Sequence, residues 1–382
     1  MINSLSNRLQ YLLKKALYPL VHWILAGIAA VVRPAKPLTN HQPLVVIHDP
    51  AVGIGDHLMI SPMLPLLADQ RPVIILSQWE KLLVTQLEWV VYGNWSNLRR
   101  IVMQYAKDGY GICIPRFGIR SLMLTLELAW LRVPMVAMVG PDRLYNSVSG
   151  TVLPLMSDHY SKQSMIVAQL LLSPTYKEAT APLLRLPPVA QCPADFDEKI
   201  FDQGIHVAMA PWAHATIRRW PLPHWVSLIN LLCARDEKIH IHLFGTKSEL
   251  PHGKTIQTQV NNPQWVVLHM GEFTLHETTY MISRCNLLVT NDNGLMHLAL
   301  GVDTTVVALF GSTDHQQRLY GKNWSILQQP ELCPTNQAPC HTPFIQNPDC
   351  PTQIECLSGI SPKAVEASIL PWLQSIRGST TS

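Results

Sequence analysis

Two glycines and an aspartate stand where a short apolar run ends and a helical pattern begins. Gly53 and Gly55 precede Asp56, a few residues after the apolar run at residues 44–47. Glycines let a backbone turn sharply and approach a ligand, and the free N–H groups at a helix N-terminus attract anions. Asp56 fits two roles: an ordinary helix N-cap, or a general base that accepts a proton from a hydroxyl group. The third glycine of the dinucleotide-binding fingerprint is absent, which argues against NAD binding.

A second polar segment follows the predicted strand at residues 286–290, whose centre is apolar. Asp292, Asn293 and Gly294 lead into a helical pattern that carries His297. The N–H groups at such a helix start, together with an imidazole, suit the negative charge of a diphosphate. The structural alternative is a capped strand-to-helix turn with a packed histidine.

A third loop follows the next apolar run and contains Gly311, Ser312 and Thr313. The carboxyl ends of parallel strands meet at one edge of a sheet, where the ligands of open α/β sheets bind. We therefore expect this loop to lie beside the loop at residues 291–294.

Two adjacent arginines, Arg218 and Arg219, lie in a loop that begins at residue 211. Guanidinium groups bind phosphate oxygens through bidentate, charge-assisted hydrogen bonds, so the pair suits a ligand that carries phosphate. By themselves the two residues fit surface cations beside a packed tryptophan as well.

The elements that must position these residues alternate between strands and helices, which is the pattern of parallel α/β domains. In the first half of the chain, strands are predicted at residues 44–48, 73–76 and 111–114, and helices at residues 57–67, 80–92 and 121–131. In the second half, strands are predicted at residues 206–211, 239–244, 265–268, 286–290 and 305–310, and helices at residues 223–234, 275–284, 295–300 and 361–376. This order predicts two Rossmann-like domains with parallel sheets that face each other across a cleft. We place the N-terminal domain at residues 40–200 and the C-terminal domain at residues 201–382.

Residues 1–39 differ from both domains. Leucines recur at helical spacing among basic residues, and residues 16–32 carry no charge. Such a run is at the lower limit for crossing a bilayer, so an interfacial helix, a membrane span and a packed helix stay open. An interfacial helix would keep both domains in the cytoplasm, and we expect peripheral attachment to the inner face of the cytoplasmic membrane.

Composition excludes two classes of protein. Of 382 residues, 47% are apolar and 14% are charged, a balance unlike that of a disordered chain. The formal net charge is +3 and no run of Lys and Arg occurs, so a nucleic-acid partner is not expected.

Histidines and cysteines give only weak indications of metal. His240 and His242 alternate with apolar residues along one predicted strand, without an identifiable third ligand. The last four cysteines lack the close pairing typical of zinc sites, so metal binding, redox pairing and simple packing stay open for them. They are Cys333, Cys340, Cys350 and Cys356. No metal and no cofactor are predicted.

Taken together, the segments resemble glycosyltransferase family 9, which includes the lipopolysaccharide heptosyltransferases, over residues 44–365. The most specific stretch is residues 288–314, which is similar to the family's D-S-G-x-x-H loop, helix, strand and F-G-x-T loop in that order. Residues 218–222 and 243–249 look like its K-x-W-P and L-x-G-x-x-x-E segments, and residues 53–56 fit its G-x-G-D.

The resemblance implies a GT-B fold and a role for each matching residue. Asp56 would be the general base on the acceptor hydroxyl. Arg218, which stands where the family usually has Lys, would bind donor phosphate, and Glu249 would contact the ribose. The diphosphate and the sugar would be held by Asp292, Asn293, Gly294 and His297, beside loops that contain Gly53, Gly55, Gly311, Ser312 and Thr313.

The implied activity is inverting, metal-independent transfer of a sugar onto a lipid-linked lipopolysaccharide core or a related envelope glycan, with ADP-heptose as the expected donor. Trp212 stands where the family has Gly, and its bulk is expected to narrow or reshape the donor pocket. Asn293 replaces Ser, and Leu295 replaces a frequent Pro. Two alternatives stay open: a catalytically silent GT-B-like protein that binds sugar nucleotides, and another GT-B enzyme such as a nucleotide-sugar epimerase.

Overall fold

The structure, a computed structural model, describes residues 35–38, 42–47, 55, 58, 73–76, 90–92, 95–114, 119–137, 192, 196–333, 340, 350 and 354–379. The chain divides into two compact units, Met1–Pro182 and Leu183–Ser382. The N-terminal segment up to residue 34 and most of the predicted helix at residues 57–67 lie outside the described residues.

The described part of the first unit contains a parallel sheet of five short strands. They are β1 (Leu44–Ile47), β2 (Val73–Leu76), β3 (Val90–Tyr92), β4 (Gly111–Ile114) and β5 (Met135–Ala137), in the spatial order β3-β2-β1-β4-β5. Helix α1 (Trp95–Lys107) precedes β4, and helix α2 (Ile119–Trp130) joins β4 to β5. All residues of β1 and β4 are buried, as expected for the central strands of a parallel sheet that is covered on both faces.

The predicted helix at residues 80–92 is wrong at its C-terminal end. Val90–Tyr92 forms β3, which pairs with β2 in parallel. Two adjacent valines favour extended backbone because their branched side chains restrict χ1, and pairing with the sheet overrides the helical spacing of the apolar residues.

The second unit contains, among the described residues, a parallel sheet of six strands. They are β6 (Ile205–Ala210), β7 (Ile239–Gly245), β8 (Val266–Met270), β9 (Leu287–Asn291), β10 (Thr305–Phe310) and β11 (Trp324–Gln328), in the spatial order β11-β10-β9-β6-β7-β8. The chain runs outward from β6 to β8 and then returns to the other side of β6 with β9. This is the strand order of the Rossmann fold, whose ligands bind at the carboxyl edge where the order reverses.

Helices cover both faces of the second sheet. They are α3 (Leu222–Arg235), α4 (Leu250–Gln259), α5 (Leu275–Arg284), α6 (Gly294–Gly301), α7 (Glu355–Ser358) and α8 (Pro362–Ser379). Side chains of α3, α4 and α8 pack on one face, and those of α5 and α6 pack on the other. The strands lie between these two layers of helices. The polar residues at the carboxyl ends of the strands lie at the edge of the sheet, beyond its apolar core.

No helix in the described part of the chain is long and apolar enough to cross a bilayer.

Candidate functional site

The loops that follow β6 and β9 emerge side by side where the strand order reverses. β6 and β9 are parallel neighbours, and Ala210 pairs with Thr290 near their carboxyl ends. The loop after β6 carries Arg218, and the loop after β9 carries Asp292 and leads into α6. The topology thus brings together two of the segments that the sequence singles out.

Asn291 holds both ends of the loop that follows β6. Its side-chain nitrogen donates to the Pro211 carbonyl at 2.8 Å, and its Oδ1 accepts the backbone N–H of Trp220 at 3.1 Å. The residue is fully buried. Asn291 is not among the predicted site residues, although an amide side chain at the end of a buried strand is a signal that could have indicated it.

Asn293 caps α6 and reaches the same loop. Its Oδ1 accepts the N–H groups of Leu295 at 3.0 Å and Met296 at 3.3 Å. Its Nδ2 donates to the carbonyls of Ala210 at 3.2 Å and Trp212 at 2.7 Å. Serine, the usual residue of the resembled family, can cap a helix but has a single O–H donor. Asparagine therefore couples the start of α6 to the loop after β6 in this chain.

Arg218 and Asp292 form an ion pair beside the start of α6. Nη1 of Arg218 lies 3.2 Å from Oδ2 of Asp292 and 3.3 Å from its carbonyl oxygen. The two side chains are 19% and 3% exposed. Nε of Arg218 is buried and has no hydrogen-bond partner in the described structure. The guanidinium thus keeps donor capacity beyond its pair with Asp292.

The carboxylate of Asp292 is kept ionised by its neighbours. Burial alone would raise its pKa, but the positive charges of Arg318 and Arg218 outweigh burial and lower the pKa to about 2. Asp292 is therefore charged at neutral pH and orients cations instead of exchanging a proton. Arg318 is not among the predicted site residues, because it follows the loop at residues 311–313 and only the fold brings it near Asp292.

Trp212, the bulky departure from the family, lies against the start of α4. Its ring stacks on that of His252, with centroids 3.8 Å apart and 17° between the planes. The guanidinium carbon of Arg219 lies 4.1 Å from the Trp212 ring centroid. Arg219 also donates to the carbonyls of Ala213 at 2.6 Å and His214 at 2.9 Å. Arg219 is therefore committed to its own loop, whereas Arg218 is the cation beside α6.

His297 is buried on α6 and packs against the segment that follows β10. The Tyr320 hydroxyl donates to the His297 carbonyl at 2.8 Å, and the two rings are stacked with centroids 6.1 Å apart. His297 is close enough to Asp292 to contribute to the lowered pKa of that carboxylate. Its predicted contact with the donor stays a prediction.

The loop after β10 packs against its neighbours. Ser312 and Thr313 are buried, and the Ser312 hydroxyl donates to the Ile217 carbonyl at 3.4 Å. A Cβ atom at Gly311 would lie 2.9 Å from the side chain of Leu357 on α7, so glycine permits close packing there. The predicted phosphate-binding role of this loop stays a prediction.

Glu249 caps the short 3-10 turn at Lys247–Glu249, which leads into α4. Its Oε2 accepts the backbone N–H of Thr246 at 2.7 Å, within a reciprocal capping box. The residue follows β7, the strand beside β6, which is where Rossmann folds place an acidic residue for the ribose. The structure gives Glu249 a capping role, and its ribose contact stays a prediction.

The predicted general base cannot be placed relative to these residues, because Asp56 and Gly53 lie outside the described residues. Gly55 is described as a buried helical residue. Their roles stay predictions.

Buried histidines on three adjacent strands form a hydrogen-bonded chain. Nδ1 of His206 lies 2.9 Å from Nε2 of His242, and Nδ1 of His242 lies 2.9 Å from Nε2 of His269. Burial lowers the pKa of all three imidazoles, to about 2 for His242 and about 4 for His269. His240 stacks on His206 instead, with ring centroids 5.1 Å apart. His242, one of the two histidines that alternate with apolar residues along β7, is therefore a neutral member of this hydrogen-bonded chain.

All eight cysteines lie within the described residues, and all are free. Among the described residues, no group of three or more His, Cys, Asp or Glu side chains is arranged to hold a metal ion.

Residues 183–342 match the sequence profile of Glycosyltransferase family 9 (heptosyltransferase). Lipopolysaccharide heptosyltransferase 2 of Salmonella typhimurium is 35% identical to this chain over 96 residues, which are 25% of this chain and 27% of that protein. Lipooligosaccharide heptosyltransferase 2 of Haemophilus influenzae is 33% identical over 101 residues, which are 26% of this chain and 29% of that protein. The matched segments thus cover less than a third of either relative.

Similarity to solved structures extends over most of the chain. The structure of Escherichia coli ADP-heptose lipopolysaccharide heptosyltransferase II aligns with 87% of this chain and 99% of that chain, with a TM-score of 0.62 and 18% identity. The E. coli heptosyltransferase WaaC, solved with ADP-2-deoxy-2-fluoro heptose, aligns with 86% of this chain and 99% of that chain, with a TM-score of 0.59 and 16% identity. At these identities the likeness concerns the fold. The chain therefore has the GT-B fold of two Rossmann-like domains, and its residues 183–342 are similar to glycosyltransferase family 9.

Proposed function

We propose that this chain is a glycosyltransferase that moves a heptosyl group from ADP-heptose onto a lipopolysaccharide core or a related envelope glycan. The observation that carries the proposal is the Arg218–Asp292 ion pair at the start of α6, where the strand order of the second sheet reverses. A guanidinium group and a helix N-terminus at this edge suit the diphosphate of a nucleotide sugar.

The guanidinium of Arg218 and the N-terminus of α6 would act on the leaving group of the reaction. As the donor reacts, negative charge develops on the departing diphosphate, and preorganised donors at that point lower the barrier. Arg218 and the N–H groups at the start of α6 would supply this stabilisation. Asp292 would act as a positioning residue, because its buried and ionised carboxylate fixes the guanidinium of Arg218.

The reaction is a single displacement with inversion. The acceptor hydroxyl oxygen attacks the anomeric carbon of the donor sugar while Asp56 accepts the hydroxyl proton. The bond from the anomeric carbon to the diphosphate oxygen breaks, and ADP leaves with the bonding electrons. Attack opposite the leaving group inverts the configuration at that carbon.

We infer that the transfer needs no metal, because a fixed guanidinium and a helix N-terminus offer positive charge to the leaving group. Activity is therefore expected to survive EDTA. Complete loss of activity that Mg²⁺ restores would contradict this part of the proposal.

Ligand binding tests the donor. Purified full-length protein is heated with ADP-heptose, a UDP-sugar or a GDP-sugar, since a ligand of the folded state raises the unfolding temperature. Stabilisation by ADP-heptose and by free ADP, but by neither the UDP-sugar nor the GDP-sugar, supports the proposed donor. Stabilisation by only the UDP-sugar or the GDP-sugar contradicts it.

Turnover separates an enzyme from a catalytically silent binding protein. With ADP-heptose and detergent-dispersed lipopolysaccharide core, the enzyme is expected to add one heptose to the acceptor, detected by mass spectrometry. A protein that is stabilised by ADP-heptose but leaves the mass of every core acceptor unchanged would be the silent alternative.

The proposed acceptor is anchored in lipid, so the enzyme must work at a membrane surface. We propose peripheral attachment to the cytoplasmic face through residues 1–33, whose apolar run suits an interfacial helix.

A further inference from the structure

The indole of Trp212 joins two loops at the carboxyl edge of the second sheet. Trp212 lies two residues after the end of β6, and His252 lies in the first turn of α4, which follows β7. The two rings are stacked, with centroids 3.8 Å apart and 17° between the planes. Since β6 and β7 are parallel neighbours, the stacked pair spans the gap between the loops that follow them.

A guanidinium group holds the indole as well. The guanidinium carbon of Arg219 lies 4.1 Å from the centroid of the Trp212 ring, which is a cation–π contact. The same guanidinium donates to the carbonyls of Ala213 at 2.6 Å and His214 at 2.9 Å, so it cannot turn away without losing both bonds. The indole is therefore held by an imidazole of α4 and by a guanidinium of its own loop.

The backbone of Trp212 is tied to a third element, α6. Its carbonyl accepts a hydrogen bond from Nδ2 of Asn293 at 2.7 Å, and Asn293 is the residue that caps α6. The proposed function puts the donor diphosphate at the start of α6, and the family resemblance puts the ribose at Glu249, just before α4. Trp212 therefore lies between the expected positions of two parts of one ligand.

Glu249 is a near neighbour of this stack. Burial lowers the pKa of Arg219, and the nearby negative charge of Glu249 acts in the opposite direction. Oε2 of Glu249 accepts the N–H of Thr246 at 2.7 Å. A carboxylate has about four acceptor sites, so capacity for the hydroxyl groups of a ribose is left. A ribose bound by Glu249 would therefore have Arg219 and the Trp212 ring as its neighbours.

We propose that Trp212 is a specificity-determining residue of the donor site: its indole, fixed by His252 and Arg219, closes one side of the ribose pocket and excludes nucleotides that carry a bulky group on a ribose hydroxyl. The inference rests on the proposed function for the position of the nucleotide. It narrows the donor class to nucleoside diphosphate sugars with an unsubstituted ribose.

A rigid wall makes this selection effective. A pocket rejects a larger ligand through clashes, and a clash weakens binding only if the wall cannot move aside. The indole is a flat and inflexible group, and its stacking with His252 and its contact with Arg219 restrict its rotation. Glycine, the residue of the resembled family at this position, has no side chain with which to form such a wall.

The test compares ADP with an ADP that carries an N-methylanthraniloyl ester on one ribose hydroxyl and leaves the other hydroxyl available to Glu249. Isothermal titration calorimetry with the full-length protein gives the dissociation constants of both nucleotides. The unchanged protein is expected to bind ADP about tenfold or more tightly than the ester. Trp212→Ala is expected to bring the two constants within about threefold of each other, mainly through tighter binding of the ester.

A second variant of the wall guards against general damage to the loop after β6. Trp212→Phe keeps an aromatic ring against His252 and is expected to keep the preference for ADP above about fivefold. His252→Ala removes the stacking partner but keeps the indole. It is expected to bind the ester more tightly than the unchanged protein does and less tightly than Trp212→Ala does.

Trp265→Ala is the matched control. Trp265 is a half-buried tryptophan of the same unit that directly precedes β8, so it lies at the opposite, amino edge of the sheet. Its replacement should leave the ratio of the two dissociation constants within about twofold of the original value.

Three results overturn the inference while the proposed function stands, because the unchanged protein binds ADP in each of them. The unchanged protein binds the ester as tightly as ADP, or Trp212→Ala leaves the ratio of the two constants unaltered, or Trp212→Ala no longer binds ADP, which would make Trp212 a part of nucleotide binding itself. If the unchanged protein does not bind ADP, the proposed donor is contradicted and the inference falls with it.

Discussion

Nη1 of Arg218 lies 3.2 Å from Oδ2 of Asp292, which joins the loop after β6 to the loop after β9 by a nearly enclosed ion pair. Asp292 needs a cation, because a carboxylate with 3% exposure is strongly disfavoured without one. Arg218 is therefore held beside α6 before any ligand arrives.

Arg218→Ala is expected to lower kcat/KM for ADP-heptose about a hundredfold or more, since it removes a charged donor from the leaving diphosphate. Arg218→Lys should stay within about tenfold, because lysine keeps the charge but loses the planar fork. Steady-state kinetics and calorimetric binding of ADP measure both effects. Equal activity of the alanine and lysine variants would contradict the phosphate-binding role.

Asn293→Ser and Asn293→Ala separate the helix cap from the link to the loop. Serine keeps an acceptor for the N–H groups of α6 but cannot satisfy the carbonyls of both Ala210 and Trp212. The free energy of unfolding is expected to fall by about 1 kcal/mol with serine and about 2 kcal/mol with alanine. Urea denaturation gives these values, and equal losses would mean that the cap contributes nothing.

The buried histidine chain makes the second unit sensitive to acid. The pKa of His242 is lowered from 6.5 to about 2 and that of His269 to about 4, so the folded state holds both imidazoles neutral. Their contribution is fully present above pH 6.5 and is lost as the pH falls below it, because the unfolded chain then binds more protons. Each histidine contributes a slope of up to about 1.4 kcal/mol per pH unit.

Hydrogen exchange of the β7 amides measures this loss locally, since the two units need not unfold together. The opening free energy should fall steeply below pH 6.5. Replacing the exposed His214 by Gln is the matched control and should leave the slope unchanged. A flat profile would show that the three imidazoles are not held neutral.

Asp56→Asn is expected to abolish turnover while leaving binding of ADP-heptose intact, because asparagine cannot accept the hydroxyl proton. Rates of sugar transfer and thermal stabilisation by the donor are compared with those of the unchanged protein. Activity retained within about tenfold would eliminate the general-base role.

Deletion of residues 1–33 is expected to release the protein from the membrane fraction and to preserve transfer to a detergent-dispersed acceptor. Fractionation followed by the activity assay gives both results. A truncated protein that still binds membranes as strongly as the full chain would contradict attachment through this segment.

Strands were predicted well where a continuous apolar run is flanked by turn residues. Val73–Leu76, Gly111–Ile114 and Thr305–Phe310 have the predicted bounds. Elements with weaker patterns were missed. β11 (Trp324–Gln328) is half-buried throughout, and α4 (Leu250–Gln259) has Pro251 and Gly253 in its first turn.

The candidate site was predictable as segments but not as contacts. The alternation of strands and helices predicts a parallel Rossmann-like sheet, and the strand order of that fold places the loops after β6 and β9 side by side. Which side chains meet there depends on partners far away in the sequence. Asn291 bonds Pro211, 80 residues earlier, and no local pattern indicates that bond.

The two hydrogen bonds of Asn291 have a consequence for the kinetics of recognition. Since both ends of the loop after β6 are tied to β9, the conformational entropy of that loop is lost when the domain folds and not when a ligand arrives. The association rate of a donor should then be limited by diffusional encounter instead of by ordering of the loop. Asn291, whose side chain hydrogen-bonds backbone atoms at both ends of the loop, would thereby act on the speed of binding.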